Sequence, residues 1–538
     1  MKGDNTETAA PALAGRREWV GLGVLAIACL VYVIDLTVLH LAVPKLSADL
    51  QPTSSQLLWI IDIYGFVVAG SLITMGTLGD RIGRRRLLLI GAAAFGLVSL
   101  LAAFSTSAGM LIASRALMGV AGATLAPSTL SLIFNMFQDP KQRSIAIGWW
   151  IAAFSAGSAV GPLAGGVMLE HFWWGSVFLL ALPVMALLLV LGPRVLPEYR
   201  DPDAGRLDLR SAAMSLTAVL AVIFGLKEIA QDGVGWPPVL TIIAGLALGA
   251  LFVRRQGRLE DPLIDLRLFR IRALSASLVA YFLSIFVVVG YFLFVAQYLQ
   301  LVLGLSPLVA GLWSLPSAAG FTIGSTVGPR ILSRFRPARV MAGGLVISAL
   351  GMAVLMGVTA SSGLAVVVAG SIIISLGLAP VITLATELIV GSAPPEKAGA
   401  ASGISETGGE LGGALGLAIL GSVGTAVYRS QLGQRLPAGL PAGAAEVARD
   451  TLGGAVGVAA ELPDGLGAEL LEVARLAFTD GLRLTAAVSA VLAIAVAIIA
   501  FVLLRSVPPQ SETIANDTAD RANLGGVELS DDPLPAHD

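Results

Sequence analysis

Residues 76–86 read GTLGDRIGRRR, a glycine-rich and charged segment that joins two long apolar runs, residues 57–78 and 87–105. Each run has about the 20 residues that a helix needs to cross a hydrocarbon layer of about 30 Å. The arginines indicate that the segment lies on the side of the membrane that retains positive charge. This stretch therefore predicts a membrane protein in which short charged connections alternate with apolar helices.

The composition extends this interpretation to the whole chain. Of the 538 residues, 56% are hydrophobic and 13% are charged, and the mean hydropathy of +0.84 lies far above that of soluble proteins. A net charge of -2 gives no electrostatic footprint for nucleic acid. The single cysteine, Cys29, excludes a disulfide within the chain and a thiol metal cluster, so we expect no metal and no cofactor.

The apolar runs predict about fourteen spans in the order six, two, six. Residues 19–192 are expected to form a first six-helix bundle, residues 193–272 two inserted helices with cytoplasmic connectors, and residues 273–504 a second six-helix bundle. The polar ends, residues 1–18 and 505–538, are predicted to be cytoplasmic tails. With this orientation about 26 of the basic residues fall on the cytoplasmic side, as expected for a multi-pass protein of the cell (inner) membrane.

The connections between spans differ in character. Charges in residues 194–210 and 254–272 are interpreted as solvated cytoplasmic surface. The outer loop, residues 429–477, contains two Ala- and Leu-rich stretches, residues 442–460 and 466–478, which predict a helical hairpin. Both a plain linker and a lid over an outer opening fit this hairpin.

A weak repeat links the two bundles. Residues 328–336 read GPRILSRFR and share with residues 76–86 a glycine followed eight residues later by an arginine. Duplicated six-helix bundles are typical of transporters that rock one bundle against the other.

These motifs resemble those of the major facilitator superfamily, in its fourteen-span drug:proton antiporter branch, the QacA-like multidrug exporters. Residues 76–86 are similar to the superfamily's loop motif, and DLTVLHLAVP at residues 35–44 closely matches the first-helix motif of the branch, with His40 in place of the usual asparagine. Trp59 and Asp62 also match. The resemblance implies an all-α major-facilitator fold, with two helices inserted between two six-helix bundles, and proton-coupled efflux of lipophilic, mostly cationic drugs by alternating access.

Within the loop motif, the resemblance implies a conformational latch. Asp80 is expected to pair with nearby arginines and to cap a helix N-terminus, a contact that charge or conformation can break. The predicted latch residues are Gly76, Asp80, Arg81, Gly83 and Arg84.

Residues 157–166, GSAVGPLAGG, resemble the antiporter motif that separates exporters from importers in this superfamily. Its predicted residues are Gly157, Gly161, Pro162, Gly165 and Gly166. The first, second and fourth of these form one helical stripe that permits close contact between helices.

The deep charged residues form two predicted clusters when depth is counted along the spans. Asp35, Asp62 and Arg115 lie in the outer half of the first bundle, and the resemblance implies that Arg115 assists proton transfer. Glu387, Glu406 and Glu410 lie together in the second bundle. Glu406 and Glu410 share one helix face, and two carboxylates this close in a poorly solvated site should not both ionise readily. One of them is therefore expected to hold a proton and to lose it when a cation arrives.

The predicted proton-coupling residues are Asp35, Arg115, Glu406 and Glu410. The predicted substrate-binding residues are Asp35, Trp59, Asp62, Glu387, Glu406 and Glu410. Lipophilic cations such as quaternary ammonium compounds and dyes, protons and the bilayer are the expected partners, and a monomer is expected.

The sequence leaves two alternatives. A proton-coupled exporter of an endogenous metabolite, amino acid or lipid would carry the same coupling motifs. An intramembrane enzyme is the other class, but the sequence has no His-Glu-x-x-His helix and no Gly-x-Ser-x-Gly elbow. A phosphate-cradling Gly-Lys-Ser/Thr loop is also missing, so the chain is predicted to be a secondary transporter rather than an enzyme or an ATP-driven pump.

Overall fold

The structure, a computed structural model, describes residues 13–52, 54–200, 208–232, 235–260, 262–332, 335–361 and 363–507. Within these ranges the regular elements are all helical. The helices of the first part are α1 (Arg16–Leu50), α2 (Ser54–Ile82), α3 (Arg84–Ala103), α4 (Ala108–Gly122), α5 (Leu125–Met136), α6 (Pro140–His171), α7 (Ser176–Leu179), α8 (Ala181–Val195), α9 (Leu209–Asp232) and α10 (Trp236–Gln256). Those of the second part are α11 (Arg272–Gln297), α12 (Pro307–Leu332), α13 (Pro337–Leu355), α14 (Leu364–Gly391), α15 (Ala398–Arg435), α16 (Ala442–Asp450), α17 (Leu452–Glu461) and α18 (Asp464–Leu504).

Among the described residues, 12 helical segments are long and apolar enough to cross a membrane. They include α4 with α5, and α7 with α8, as single crossings. The long helices α6 and α12 fall outside this set, and they pack against each other. The multi-pass architecture is therefore confirmed at about this number of crossings.

Two apolar cores organise the bundle. Helices α1–α8 pack around one cluster of buried residues, and α11–α18 pack around a second cluster. Within the first core α1 lies along α6, and within the second α13 lies along α14 and α11 along α15. Rigid halves of this kind can rotate against each other with little internal repacking, because closely packed cores resist deformation.

Two spans that were expected to be continuous are each divided by a proline. Pro127 lies four residues after Ala123, the residue that directly follows the end of α4, and Pro183 lies four residues after Leu179, where α7 ends. Proline has no N–H to donate to the carbonyl four residues earlier, and its ring clashes with that carbonyl. Each helix is therefore interrupted one turn before its proline.

The inserted helices lie against both halves. Helix α10 packs on α9, and α9 contacts α2 of the first half and α15 of the second. Phe66 and Ala69 of α2 and Ile223 of α9 form a small buried cluster, against which Leu411 of α15 packs. The insertion thus occupies a groove between the halves.

The outer loop is more helical than expected and differs in its breaks. Its first predicted stretch, residues 442–460, divides into α16 and α17 at Thr451, whose hydroxyl accepts a hydrogen bond from Gly454 N–H and caps α17. The second stretch, residues 466–478, is not a separate hairpin arm because it runs continuously into the last span as α18. Tyr428 donates to the Ala448 carbonyl over 2.8 Å and anchors α16 to α15.

Candidate functional site

The two ends of the bundle differ in the connections that they carry. The Asp80 end carries the α2–α3 connection, and the hairpin end carries α16 and α17. Helices α1, α6, α11 and α15 run from the Asp80 end to the hairpin end, and α12 and α14 run in the opposite direction.

A cavity of about 630 Å³ lies between the halves, mostly against the second one. Its wall is apolar and aromatic, with a row of hydroxyl groups on α12 and α14. It reaches Val367 and Val368, one turn from the start of α14 at the hairpin end. In the other direction it ends near Thr386, in the last turns of the same helix. The cavity therefore extends from the middle of the bundle toward the hairpin end.

Glu406 and Glu410 are the charged residues among those that line the cavity. Glu406 is half-buried, and Glu410 is exposed to the cavity one turn further along α15. The opposite face of α15 packs tightly, because a Cβ added at Gly412 would lie 2.6 Å from the Phe282 carbonyl oxygen of α11. Tight packing behind the helix and open space in front of it aim both acids into the cavity.

Asp35 and Arg115 form an ion pair inside the first half. Arg115 Nη1 donates to Asp35 Oδ2 over 2.6 Å, and the two residues are 1% and 4% exposed. Arg115 Nε donates to the Ile60 carbonyl, and its guanidinium lies 4.7 Å from the centre of the Tyr64 ring. Arg115 is thus turned inward to partners rather than outward to the membrane surface. The pair does not line the cavity described above.

Of the predicted substrate residues on α2, Trp59 can be placed and lies outside the cavity wall. The side chain of Asp62 is outside the described residues, as is that of His40. Trp59 stacks on Phe224 of the inserted helix α9, with ring centres 5.8 Å apart, and does not line the cavity.

Glu387 also lies outside the cavity wall. It is 4% exposed, and Ser144 of α6 donates to its Oε2 over 2.5 Å. Because Glu387 belongs to the second half and Ser144 to the first, this hydrogen bond joins the halves just beyond the cavity floor. The structure therefore places Glu387 at a contact between the halves rather than at the expected cargo surface.

Asp80 makes the contact expected of a latch. Its carboxylate accepts hydrogen bonds from Gly399 N–H over 3.1 Å and from Ala400 N–H over 2.9 Å, at the start of α15. The first N–H groups of a helix have no partner within the helix, and the helix N-terminus favours negative charge. The neighbouring Gly76 permits the approach, because an added Cβ would collide with the Gly399 carbonyl.

Of the other predicted latch residues, Arg84 contacts Asp80 directly. Arg84 is fully buried, its Nη2 lies 2.8 Å from Asp80 Oδ1, and its guanidinium packs over the Tyr199 ring at 4.7 Å. Gly83 has φ +110, a conformation that other residues rarely adopt, and a Cβ there would lie 2.6 Å from Glu198 Oε1. Arg81 is half-buried at the end of α2.

The antiporter-motif glycines face α1. A Cβ added at Gly157 would lie 2.7 Å from the Leu30 carbonyl oxygen, and one at Gly165 would collide with Val38. Gly161 between them is buried, whereas Gly166 has open space around it. The side chain of Pro162 is outside the described residues. The glycine stripe therefore serves contact within the first half, between α6 and α1.

Sequence reasoning missed much of the cavity wall. The aromatic residues that line the cavity are Trp150, Phe154, Tyr281, Phe292, Trp313 and Phe321. No local signal distinguishes these rings from packing residues, since each lies in an apolar helix without a polar face.

Comparison with known proteins places this architecture in a family. The family model described as Major Facilitator Superfamily matches residues 25–417. The chain is 44% identical over 489 residues to the multidrug efflux pump LfrA of Mycolicibacterium smegmatis, covering 91% of this chain and 97% of the relative. It is 37% identical over 483 residues to the methyl viologen resistance protein SmvA of Salmonella typhimurium, covering 89% and 97%.

Among solved structures, the human organic anion transporter MFSD10 (TETRAN) is similar with a TM-score of 0.55, covering 90% of this chain and 99% of that one. The sequence identity is 17%, so this likeness concerns the fold alone. The predicted all-helical fold and the predicted family are both confirmed, and the chain belongs to the Major Facilitator Superfamily.

Proposed function

We propose that this chain exports lipophilic, mostly cationic drugs and antiseptics in exchange for protons, by alternating access. The observation that carries the proposal is the cavity, in which an apolar and aromatic wall surrounds Glu406 and Glu410 and none of the described lining residues is basic. The names of two relatives, a multidrug efflux pump and a methyl viologen resistance protein, support this cargo class.

The cavity suits an amphipathic cation. Its volume of about 630 Å³ lies within the range of drug-sized sites. Trp150, Trp313 and Phe321 line the cavity with aromatic rings, a residue type that attracts cations, and the carboxylates supply the countercharge. An anionic cargo would meet only repulsion from the two carboxylates.

Glu406 and Glu410 supply the exchange step. Carboxylates one helical turn apart lie about 6 Å from each other, and at that distance their mutual repulsion is about 3 kcal/mol at an effective dielectric constant of about 20. A bound cation offsets this repulsion, whereas without cargo a proton does so. Cargo and proton therefore compete for the same pair, which is the requirement for exchange.

The Asp35–Arg115 pair supplies a second coupling element. A buried ion pair that loses one partner leaves a costly uncompensated charge. Movement of α1 against α4 would expose Asp35 to protonation, and neutralisation of Asp35 would in turn release Arg115. Proton binding at Asp35 is thereby linked to the conformation of the first half.

The orientation follows from the arginines. At the Asp80 end, the first turn of α3 carries Arg84, Arg85 and Arg86, and the last turn of α10 carries Arg254 and Arg255. Positive connections remain in the cytoplasm, so the Asp80 end faces the cytoplasm, with both termini on that side of the inner membrane. Counting α6 and α12 as crossings gives the fourteen spans of the proposed topology. The present conformation is then closed to the cytoplasm and open toward the outside.

A proteoliposome assay tests the proposal. Purified protein is reconstituted with an imposed pH gradient of either sign, and movement of ethidium or a quaternary ammonium dye is followed. Exchange predicts that the direction of dye movement reverses with the gradient and that a protonophore abolishes it. Dye movement that is indifferent to the gradient would refute proton exchange.

Export of a cell-made metabolite is the second candidate. The hydroxyl row on α12 and α14 favours it, since Ser317 and Ser375 lie 2.8 Å apart on the cavity wall and can bind hydroxyl or carbonyl groups of a polar natural product. Loss of transport of such a compound in Ser317→Ala, with dye transport intact, would support this candidate.

A further inference from the structure

The connector between α10 and α11 is a fixed element rather than solvated surface. Leu263, Ile264 and Leu268 are each less than 8% exposed and belong to the core of the second half. The side chain of Gln256 at the end of α10 accepts a hydrogen bond from Leu263 N–H over 2.7 Å and donates to Ser211 over 2.8 Å. The interpretation as solvated surface concerned the charges of residues 254–272, and the exposed Arg254, Arg258, Arg267 and Arg270 agree with it, whereas these three apolar residues between them are buried.

The connector meets the first half beside the latch. The Thr77 hydroxyl of α2, one turn before Asp80, lies 3.0 Å from the Leu263 carbonyl oxygen and shares its single hydrogen between that oxygen and the Ile73 carbonyl oxygen of its own helix, 2.9 Å away. Helix α2 thus contacts two parts of the second half through residues that lie one helical turn apart. Thr77 contacts the connector, and Asp80 contacts the first turn of α15.

An ion pair joins the connector to the start of α15. Lys397 directly precedes α15, and its Nζ donates to Asp265 Oδ2 over 2.6 Å. Asp265 Oδ1 also accepts a hydrogen bond from Arg267 Nε over 3.0 Å. Partial burial acts to raise the pKa of Asp265, but the hydrogen bonds from Arg267 and Lys397 outweigh it and hold that pKa below its ordinary value. Asp265 therefore stays ionised at any pH at which the protein works.

We propose that Asp265 and Lys397 are positioning residues for the latch, holding the connector and the start of α15 together as one receiving surface for Thr77 and Asp80. The proposal rests on the proposed function, alternating access, with the contact of Asp80 with the start of α15 acting as a latch that closes the Asp80 end. Without the pair, the N-terminus of α15 can shift relative to the Leu263 carbonyl, and α2 can then dock on only one of them at a time. The closed Asp80 end becomes less populated, although Asp80 itself is intact.

The test measures the opening of the Asp80 end directly. Spin labels are attached at Arg86→Cys and Arg339→Cys, two exposed positions on α3 and α13 at that end, in a Cys29→Ser background. Electron–electron double resonance in nanodiscs then gives the populations of short and long distances. This readout depends on conformation and needs no cargo.

The expected changes are graded. Asp265→Asn and Lys397→Gln each raise the ratio of open to closed populations about threefold, as for loss of a partly exposed ion pair. Lys397→Arg keeps the charge and leaves the ratio near that of the parent. Arg267→Gln is the matched control, because it removes a cation from the same carboxylate without touching α15, and it leaves the ratio unchanged.

Further variants separate failure of this proposal from failure of the latch. The exchange Asp265→Lys with Lys397→Asp restores the parental ratio if the pair acts through its mutual attraction. Parental ratios in both Asp265→Asn and Lys397→Gln, beside an opened Asp80→Asn, would overturn the positioning role and leave the latch standing. A parental ratio in Asp80→Asn would overturn the latch and this proposal together.

Discussion

Removing both cavity carboxylates should change how the protein ranks cations by charge. In the double variant Glu406→Gln/Glu410→Gln, the cavity keeps its shape because glutamine is nearly isosteric with glutamate. The lost attraction scales with the charge of the cargo. A suitable pair of ligands is methyl viologen, with two charges, and N-methyl-4-phenylpyridinium, a singly charged analogue of the same outline.

The size of the effect follows from Coulomb's law. A cationic centre about 5 Å from one ionised carboxylate gains between about 0.8 kcal/mol in a water-filled cavity and about 3 kcal/mol at an effective dielectric constant of about 20. The dication can place one cationic centre beside each of the two carboxylates, so it gains about twice as much as the monocation, and the difference between the two equals the gain for one centre. The ratio of the two dissociation constants should therefore change by about fourfold to about two-hundredfold in the double variant.

Equilibrium binding by isothermal titration calorimetry provides the assay. The matched control is Glu446→Gln/Glu461→Gln, which removes two acids from α16 and α17 outside the cavity wall. It should leave the ratio within twofold of the parent. An unchanged ratio in the cavity variant, or an equal change in the control, would refute the assignment of Glu406 and Glu410 as the countercharge.

Three further outcomes are expected. Arg115→Gln should lower the thermal unfolding temperature of the detergent-solubilised protein, since breaking a buried ion pair costs about 3–5 kcal/mol. Adding Asp35→Asn should recover most of this loss, and additive losses would contradict the pairing. Gly76→Val should open the Asp80 end in the spin-label assay, because the side chain meets the Gly399 carbonyl, and a closed population equal to that of the parent would contradict the close approach. Ser144→Ala should raise the open population about threefold by removing the hydrogen bond to Glu387, and dye affinity should stay unchanged; a large loss of affinity instead would return Glu387 to the cargo site.

The spans could be predicted from sequence because apolar length alone decides whether a helix can cross a bilayer. The breaks at Ala123 and Leu179 were missed, although Pro127 and Pro183 mark them, because hydropathy does not register a lost backbone hydrogen bond. The continuity of α18 was missed because the polar residues suggested a separate arm, although residues 466–478 end without a helix stop signal.

The candidate site was accessible only in part. Depth along a helix places Asp35 and Arg115 at one level, and their contact at 2.6 Å agrees with that count. Depth along a helix does not tell which direction a side chain faces around the helix axis. It therefore did not distinguish the position of Glu387, which faces Ser144, from that of Glu406, which faces the cavity. Asp80 and Ala400 are 320 residues apart in sequence, and no local pattern identifies the N-terminus that an acid will cap.

The pairing of Asp265 with Lys397 illustrates the same limit. Both are charged residues in short connections, where solvation is the ordinary expectation. Only the fold brings the connector and the start of α15 together, 132 residues apart in sequence.

The most direct test of the central claim is proton release on cargo binding. Detergent-solubilised protein in weakly buffered solution is mixed with tetraphenylphosphonium, and the pH is recorded. Competition for the cavity carboxylates predicts that the wild-type protein releases protons in proportion to the bound cation. The double variant Glu406→Gln/Glu410→Gln should release no protons when the cation binds. Cation binding without proton release from the wild-type protein, or equal release from the double variant, would contradict the account.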